Sequence, residues 1–314
     1  MIGTARGALA DLAARAYLGA MDYGEAVAET ASRSSESFLP MKRLTHQSVV
    51  RSAGRRSPSG SRLLLCCALI IGVALTGCSP SLPYHTVGEV VQHYPHDEEA
   101  FTQGLVFDQG NLYESTGLYG ESSIRRIDLE TGEGPQIQRL PRHLFGEGCT
   151  VWEDTIVQVT WKAGLGFVYD RDTFQVVKRF GYQAEGWGLT QDGHRLIMSD
   201  GTSTLRFLDP QTFQELRRVQ VVDRGEPVVR LNELEFVRGE VWANVWQTPR
   251  IVRIDPNNGE VLGWIDFSAL AAQEPRGVLN GIAATGQKLY VTGKRWTSIY
   301  EVEAKPRDIT PTAP

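Results

Sequence analysis

Paired cysteines, clustered histidines and long apolar runs are all scarce in this 314-residue chain. Of its four cysteines, Cys66 and Cys67 lie in an apolar stretch near the N-terminus, Cys78 closes that stretch, and Cys149 stands alone beyond it. No intramolecular disulfide therefore holds the region after Cys78. Neither a CxxC pair nor an HExxH motif occurs, so no metal-site spacing is present. His85, His93, His96, His143 and His194 share no recurring position and read as surface or turn residues. Positive charge is also scarce where it would count. Nine of the 32 basic and five of the 37 acidic residues precede Cys78, leaving 23 against 32, a net charge near −9. Phosphate binding needs clustered Lys and Arg, so nucleic acid is excluded as a partner. No Ser-His-Asp arrangement and no phosphate-cradling glycine loop is evident.

Residues 63–77, LLLCCALIIGVALTG, are the longest apolar run. Fifteen residues are too few for a comfortable membrane span and fit the core of a signal peptide. Arg51, Arg55, Arg56 and Arg62 supply its positive flank, although Ser57-Pro58-Ser59 fits a twin-arginine signal poorly. Leu75-Thr76-Gly77-Cys78 resembles a bacterial lipobox, with Cys78 as the lipidated residue. Met41-Lys42-Arg43 offers a second start, so 1–40 reads as a disordered leader or a mis-assigned start, and 41–78 as a lipoprotein signal. Removing 77 of the 314 residues leaves 237, ample for one domain over 79–314.

That region repeats itself. Units begin FTQGLVFDQGNLYEST at Phe101, FGEGCTVWEDTIVQVTW at Phe145, GWGLTQDGHRLIMSDG at Gly186, LNELEFVRGEVWANVW at Leu231 and LNGIAATGQKLYVTGK at Leu279. Each has a short apolar strand, a polar turn and an alternating strand. Three continue into a strand, an Asp-x-x-Thr turn and a fourth strand (RRIDLETGE, FVYDRDTFQ, RFLDPQTFQ), and RIDPNNGE is a variant of that turn. With Gly104, Gly148, Gly188, Glu233 and Gly281 as anchors, the spacings are 44, 40, 45 and 48. Period 2 dominates, which excludes helical repeats. Four-stranded units of this length predict an all-β chain, a five-bladed β-propeller. The last unit ends near Ala304 after three strands, while 85–95, HTVGEVVQHYP, resembles the missing fourth. The N-terminal strand is thus expected to complete the last blade and close the ring without an exposed edge.

In such a ring, two loops of each unit open on one face. The anchors mark the first, carrying Gln103, Glu147, Trp187, Asn232 and Glu233; the second, 13 residues on, carries Gly117, Trp161, Gly201, Trp246 and Lys294. Phe101, Gln103, Phe145, Glu147, Trp161, Trp187, Asn232, Trp246 and Lys294 would then form an aromatic cup with a few convergent polar groups. Taken singly, each has a plain alternative. The tryptophans suit packing between blades, Glu147 suits a solvated loop or a backbone acceptor, and Lys294 suits open surface. Their common phase in different units favours a shared pocket. The run His96-Asp97-Glu98-Glu99 reads as a solvated loop, and Cys149 as a small core residue.

AFTQGL, LFGEG, TW at 160–161, GWGLT, LNELE with VWANVW, and LNGIA with VTGKRW together resemble the plant- and bacterial-type glutaminyl-peptide cyclotransferases, from about Tyr84 to Glu303. The resemblance implies a five-bladed propeller, unrelated to the zinc-dependent animal enzymes, that turns N-terminal glutamine into pyroglutamate and ammonia. It implies Glu147 as the proton-transfer residue with Lys294 as the second catalytic group. Gln103 and Asn232 would be polar contacts to substrate, and Phe101, Phe145, Trp161, Trp187 and Trp246 aromatic walls. No metal or organic cofactor is expected. Implied partners are peptides or proteins with N-terminal Gln, acted on by a monomer tethered at Cys78 in the bacterial envelope and facing the periplasm, or secreted. Two other readings fit the residues: a non-catalytic envelope propeller that binds peptides or scaffolds assembly, and a metal-dependent lactonase using Glu147, Asn232 and Glu233, which Lys294 suits poorly.

Overall fold

The computed structural model describes Leu82 and residues 84–306. The 1–40 leader, the signal segment and Cys78 lie outside the described residues. Among the described residues the fold is all-β, with one helical turn, α1 (Ser268–Ala271).

Strand β1 (His85–Pro95) is followed by three four-stranded antiparallel sheets built in chain order. The first is β2 (Thr102–Asp108), β3 (Asn111–Thr116), β4 (Ser123–Ile127) and β5 (Gln136–Arg139). The second is β6 (Gly146–Trp152), β7 (Thr155–Thr160), β8 (Leu165–Asp170) and β9 (Val176–Gly181). The third is β10 (Leu189–Gln191), β11 (Leu196–Ser199), β12 (Thr204–Leu208) and β13 (Glu215–Gln220). A two-stranded ribbon, β14 (Val222–Asp223) with β15 (Glu226–Pro227), leads on to β16 (Leu231–Val237), β17 (Glu240–Val245), β18 (Arg250–Ile254) and β19 (Val261–Asp266). After α1 come β20 (Val278–Thr285), β21 (Lys288–Lys294) and β22 (Ser298–Pro306). These last seven strands and β1 form one eight-stranded sheet in the order β16-β17-β18-β19-β1-β22-β21-β20. In it β1 runs antiparallel to β22 from Thr86 to Pro95 and parallel to β19 over only His85–Val87. The N-terminal strand therefore joins the last hairpin, as the sequence leads one to expect.

Burial explains why the strand types differ. First and second strands are buried on both faces, whereas fourth strands such as β9 and β13 are mostly exposed. Accordingly the inner strands β6 and β7 carry no Lys or Arg, while outer strands such as β9 and β13 do. The first strands neighbour one another in the succession β2, β6, β10, β16, β20, and β20 returns to β2. Core clusters fill the spaces between consecutive sheets: Val106, Tyr113, Val151 and Tyr169 between the first two, and Leu105, Leu112, Tyr290 and Ile299 between the last and the first. Cys149 is a buried free thiol in this packing.

The Asp-x-x-Thr turns form as expected, with the Asp128, Asp170 and Asp209 carboxylates each accepting from the Thr backbone N–H and hydroxyl three residues on. The residue after each Thr takes positive φ: Gly132, Phe174 and Phe213, with Gly259 equivalent in the variant turn. The two phenylalanines adopt that unfavourable conformation and pack inward, Phe213 stacking on Phe180 at 3.8 Å.

One expectation fails. His96 is 8% exposed, not a surface residue. Its ring bonds the Trp296 carbonyl at 2.9 Å and Glu114 at 3.1 Å, and Glu114 is bound by Arg125, which also pairs with Asp97 at 2.8 Å. His96 thus belongs to a buried ionic network that the exposed Asp97 joins from outside, and Glu98 and Glu99 stay exposed beside Arg276.

Candidate active site

The polar candidates Gln103, Glu147, Asn232 and Glu233 sit in β-bulges, whereas Lys294 pairs with Val278 at the end of β21. Register slips between Thr102 and Gly104, between Gly146 and Cys149, between Leu231 and Leu234, and between Leu279 and Ile282. The residues left unpaired are Gln103, Glu147 with Gly148, Asn232 with Glu233, and Asn280 with Gly281. A bulge bends its strand and re-aims the extra side chain, which is how a carboxylate can stand within a buried inner strand. The anchor glycines follow from the same crowding. A Cβ on Gly104 would lie 2.5 Å from the Cys149 nitrogen, on Gly148 2.4 Å from the Leu189 nitrogen, and on Gly188 2.0 Å from the Asn232 oxygen.

Glu147 is 1% exposed, and its Oε1 has no hydrogen-bond partner among the described residues. Its backbone is held instead, the Ser115 hydroxyl donating to its carbonyl and Gln158 Nε2 donating to Ser115 at 2.7 Å. Burial pushes the Glu147 carboxyl well above the usual range; the Lys294 ammonium draws it back and the Glu185 carboxylate adds to the rise. Lys294, 3% exposed, is the complement. Burial brings its amine down to about 7, against the pull of Glu147 and Glu233. Its Nζ donates to Gln103 Oε1 and, at 3.3 Å, to the Thr102 carbonyl, and it stands 4.8 Å from the Phe101 ring centroid. The site therefore holds an acid and a base, each moved toward neutrality by one dry environment.

Both loops of a unit meet as the repeat register requires. The backbone N–H groups of Gly117, Trp161 and Trp246 donate to the carbonyls of Phe101, Phe145 and Arg230, each 16 residues earlier, at 2.8–3.1 Å. The aromatic rings follow in sequence: Phe101 meets Phe145 edge-on at 6.2 Å, Phe145 meets Trp161 at 5.7 Å, and Trp187 meets Trp246 at 5.7 Å. Gly117 leaves room for Phe145, since a Cβ there would come within 2.3 Å of its ring.

A family model for glutamine cyclotransferases matches residues 63–304. The chain belongs to the glutamine cyclotransferase family. It is 41% identical over 300 residues to an Arabidopsis thaliana protein named glutaminyl-peptide cyclotransferase, covering 85% of this chain and 93% of that one. Among solved structures it resembles the glutaminyl cyclase of Myxococcus xanthus, at 37% identity and a TM-score of 0.68, covering 72% of this chain and all of that one.

Within this cyclotransferase chain, the structure gathers Phe101, Gln103, Phe145, Glu147, Trp161 and Lys294 through direct contacts or shared charge, and places Trp187 beside Trp246. Gln103, expected to face substrate, gives its Oε1 to Lys294 and Asn280 and so fixes the lysine. Asn232 Oδ1 is buried without a hydrogen-bond partner among the described residues, as are Asn244 Nδ2 and Asn280 Oδ1. Glu233 is spent on structure, accepting from the Leu105 and Ile282 N–H groups at 3.1 and 2.9 Å. That weighs against the lactonase reading, which needs Glu233 as a metal ligand.

Sequence reasoning missed three residues. Asn244 lies mid-strand in β17 and accepts from the Gly281 N–H at 3.0 Å; Asn280 binds Gln103. Glu185 stands two residues before Trp187, and its Oε2 accepts the indole N–H groups of Trp161 at 2.7 Å and Trp187 at 3.0 Å. A carboxylate directly preceding GWG, between two candidate indoles, was the available signal.

Proposed function

We propose that this chain is a glutaminyl-peptide cyclotransferase whose proton transfers run through Glu147. The carrying observation is the Glu147 carboxyl itself: fully buried, raised by burial, with Oε1 unpartnered among the described residues. In the reaction the α-amino nitrogen attacks Cδ of the glutamine side chain, forming the ring bond. Glu147 takes the proton that the nitrogen sheds and returns it to the amide nitrogen as the Cδ–N bond breaks, releasing ammonia. A carboxyl raised toward neutrality suits both steps. Lys294 tunes Glu147 by charge, and Gln103 and Asn280 hold Lys294 in place. Asn232 and the indole walls position the amide and shield the site from water. Because ring closure is intramolecular, folding the chain end between rigid walls supplies much of the rate.

The architecture is best read as a five-bladed propeller. Three four-stranded sheets support this, as does an eight-stranded sheet joined only by the short parallel β1–β19 seam, which divides into two further sets of four. The apolar run 63–77 and the lipobox-like Leu75-Thr76-Gly77-Cys78 support tethering by lipid to the cell envelope. The direct test is ammonia release from a Gln-initiated dipeptide; no ammonia or pyroglutamyl product from purified protein would overturn the assignment.

A further inference from the structure

Resting on that reading of the site, we infer that Glu185 is the substrate-binding residue for the charged α-ammonium of the peptide terminus, set in place by the two indole walls it joins. The two oxygens of this carboxylate have different surroundings. Oε2 is fully engaged by the Trp161 and Trp187 N–H groups, which come from the second sheet and the start of the third. Oε1 forms a long ion pair with Lys162 Nζ, at 4.0 Å and beyond hydrogen-bond length. The Glu185 side chain is 39% exposed, so Oε1 remains open to an arriving cation.

The alternatives for this task are worse placed. Glu147 is 1% exposed, so it makes a poor counter-ion at the entrance. Glu233 and Glu235 already accept from backbone N–H groups at 2.9–3.1 Å. Indole faces attract cations, and this pair is fixed by the same carboxylate that would neutralise the charge. A peptide terminus is mostly protonated near pH 7, so the enzyme meets the ammonium form first. Glu185 captures that form at Oε1, and Glu147, deeper in the site, deals with the reacting amine. The charged and titratable groups that sense Glu185 are Lys162, Glu147 and the Tyr119 hydroxyl.

The test separates charge from support. Glu185→Gln keeps an oxygen to accept both indole N–H groups but removes the charge. With a Gln-Ala dipeptide, it is expected to raise KM roughly tenfold near pH 6.5 with kcat within about twofold. The effect should fade near pH 9, where the α-amine, with an ordinary pKa of about 8, is neutral. An unchanged KM near pH 6.5, or the same rise at both pH values, overturns the inference and leaves Glu185 a structural clasp. Indole fluorescence titrated with a norleucine-initiated dipeptide, which has the ammonium but no side-chain amide, gives a readout free of turnover. Weaker binding by Glu185→Gln than by the wild-type protein supports the inference, and equal binding overturns it. If the wild-type protein releases no ammonia yet binds this dipeptide in a Glu185-dependent way, the cyclase reading fails and the ammonium site stands.

Discussion

The Gly148 N–H donates to the Trp187 carbonyl at 2.7 Å, fastening the bulge that carries Glu147 to the next sheet. This bond sets the carboxylate's position and one indole wall together. It depends on an approach so close that position 148 has no space for a side chain.

Gly148→Ala is therefore expected to be among the most damaging single-methyl additions in the chain. The new Cβ would face backbone atoms at 2.4–2.7 Å, which cannot swing away as a side chain could. Overpacking of that kind costs about 3 kcal/mol. Urea unfolding of the variant measures it, and a loss under about 0.5 kcal/mol, typical of a surface change, contradicts the packing argument.

Glu147→Gln should fold and lose turnover by a factor between about one hundred and ten thousand. Its stability should rise relative to wild type, and the gain has a definite pH course. The folded-state pKa lies above the unfolded one, so Glu147 imposes no penalty below the unfolded value of about 4.3 and an increasing one as pH rises toward the folded value. Urea midpoints at pH 4 and 8 should therefore diverge between the two proteins; equal differences at both pH values contradict the buried-carboxyl assignment.

Much of this was legible in the sequence because propeller-like units repeat their turn chemistry. The period-2 strands, the Asp-x-x-Thr turns and the anchor glycines are local signals, and the register between them put Glu147, Trp161 and Lys294 at one end. What escaped notice depends on contacts between sheets. His96 looks like a turn residue until Glu114, 18 residues on, meets its ring. Gln103 shows no link to the last hairpin until Lys294 takes its oxygen. Glu185 lies in a linking loop outside the repeat register, where no spacing argument reaches it.

The buried network around Glu114 makes a stability prediction. Burial alone would raise this carboxyl, but Arg125 and His96 hold it down to about 2. Arg125→Met leaves the buried carboxylate short of its main counter-charge, a change expected to cost about 3–5 kcal/mol at neutral pH. In the wild type the Glu114 contribution is present above the unfolded pKa of about 4.3 and is lost as pH falls toward 2. The acid-unfolding midpoint of Arg125→Met, followed by circular dichroism, should accordingly move to higher pH. A midpoint unchanged from wild type would show that Arg125 does not carry this charge.

Cys78 gives the test of location. If the lipobox reading holds, Cys78→Ser expressed in a bacterial host should move from the membrane fraction to the soluble fraction while cyclase activity is kept. Membrane association that persists in the variant rules out lipid anchoring at this position.

Lys294 sets the working range of the acid. Its ammonium lowers the Glu147 pKa, while burial brings its own down to about 7, so the two titrate as a coupled pair. Removing the amine in Lys294→Met should let the Glu147 pKa climb further. The acidic limb of kcat/KM against pH then shifts upward, and the limb belonging to the lysine disappears. Activity at neutral pH should fall, partly because the carboxyl stays protonated and partly because Gln103 loses its strongest partner. Profiles collected from about pH 5 to 9, spanning the ordinary carboxyl and amine ranges of such a pair, decide the matter. An acidic limb that stays where it is in Lys294→Met would separate the two residues and leave Lys294 a support for Gln103 alone.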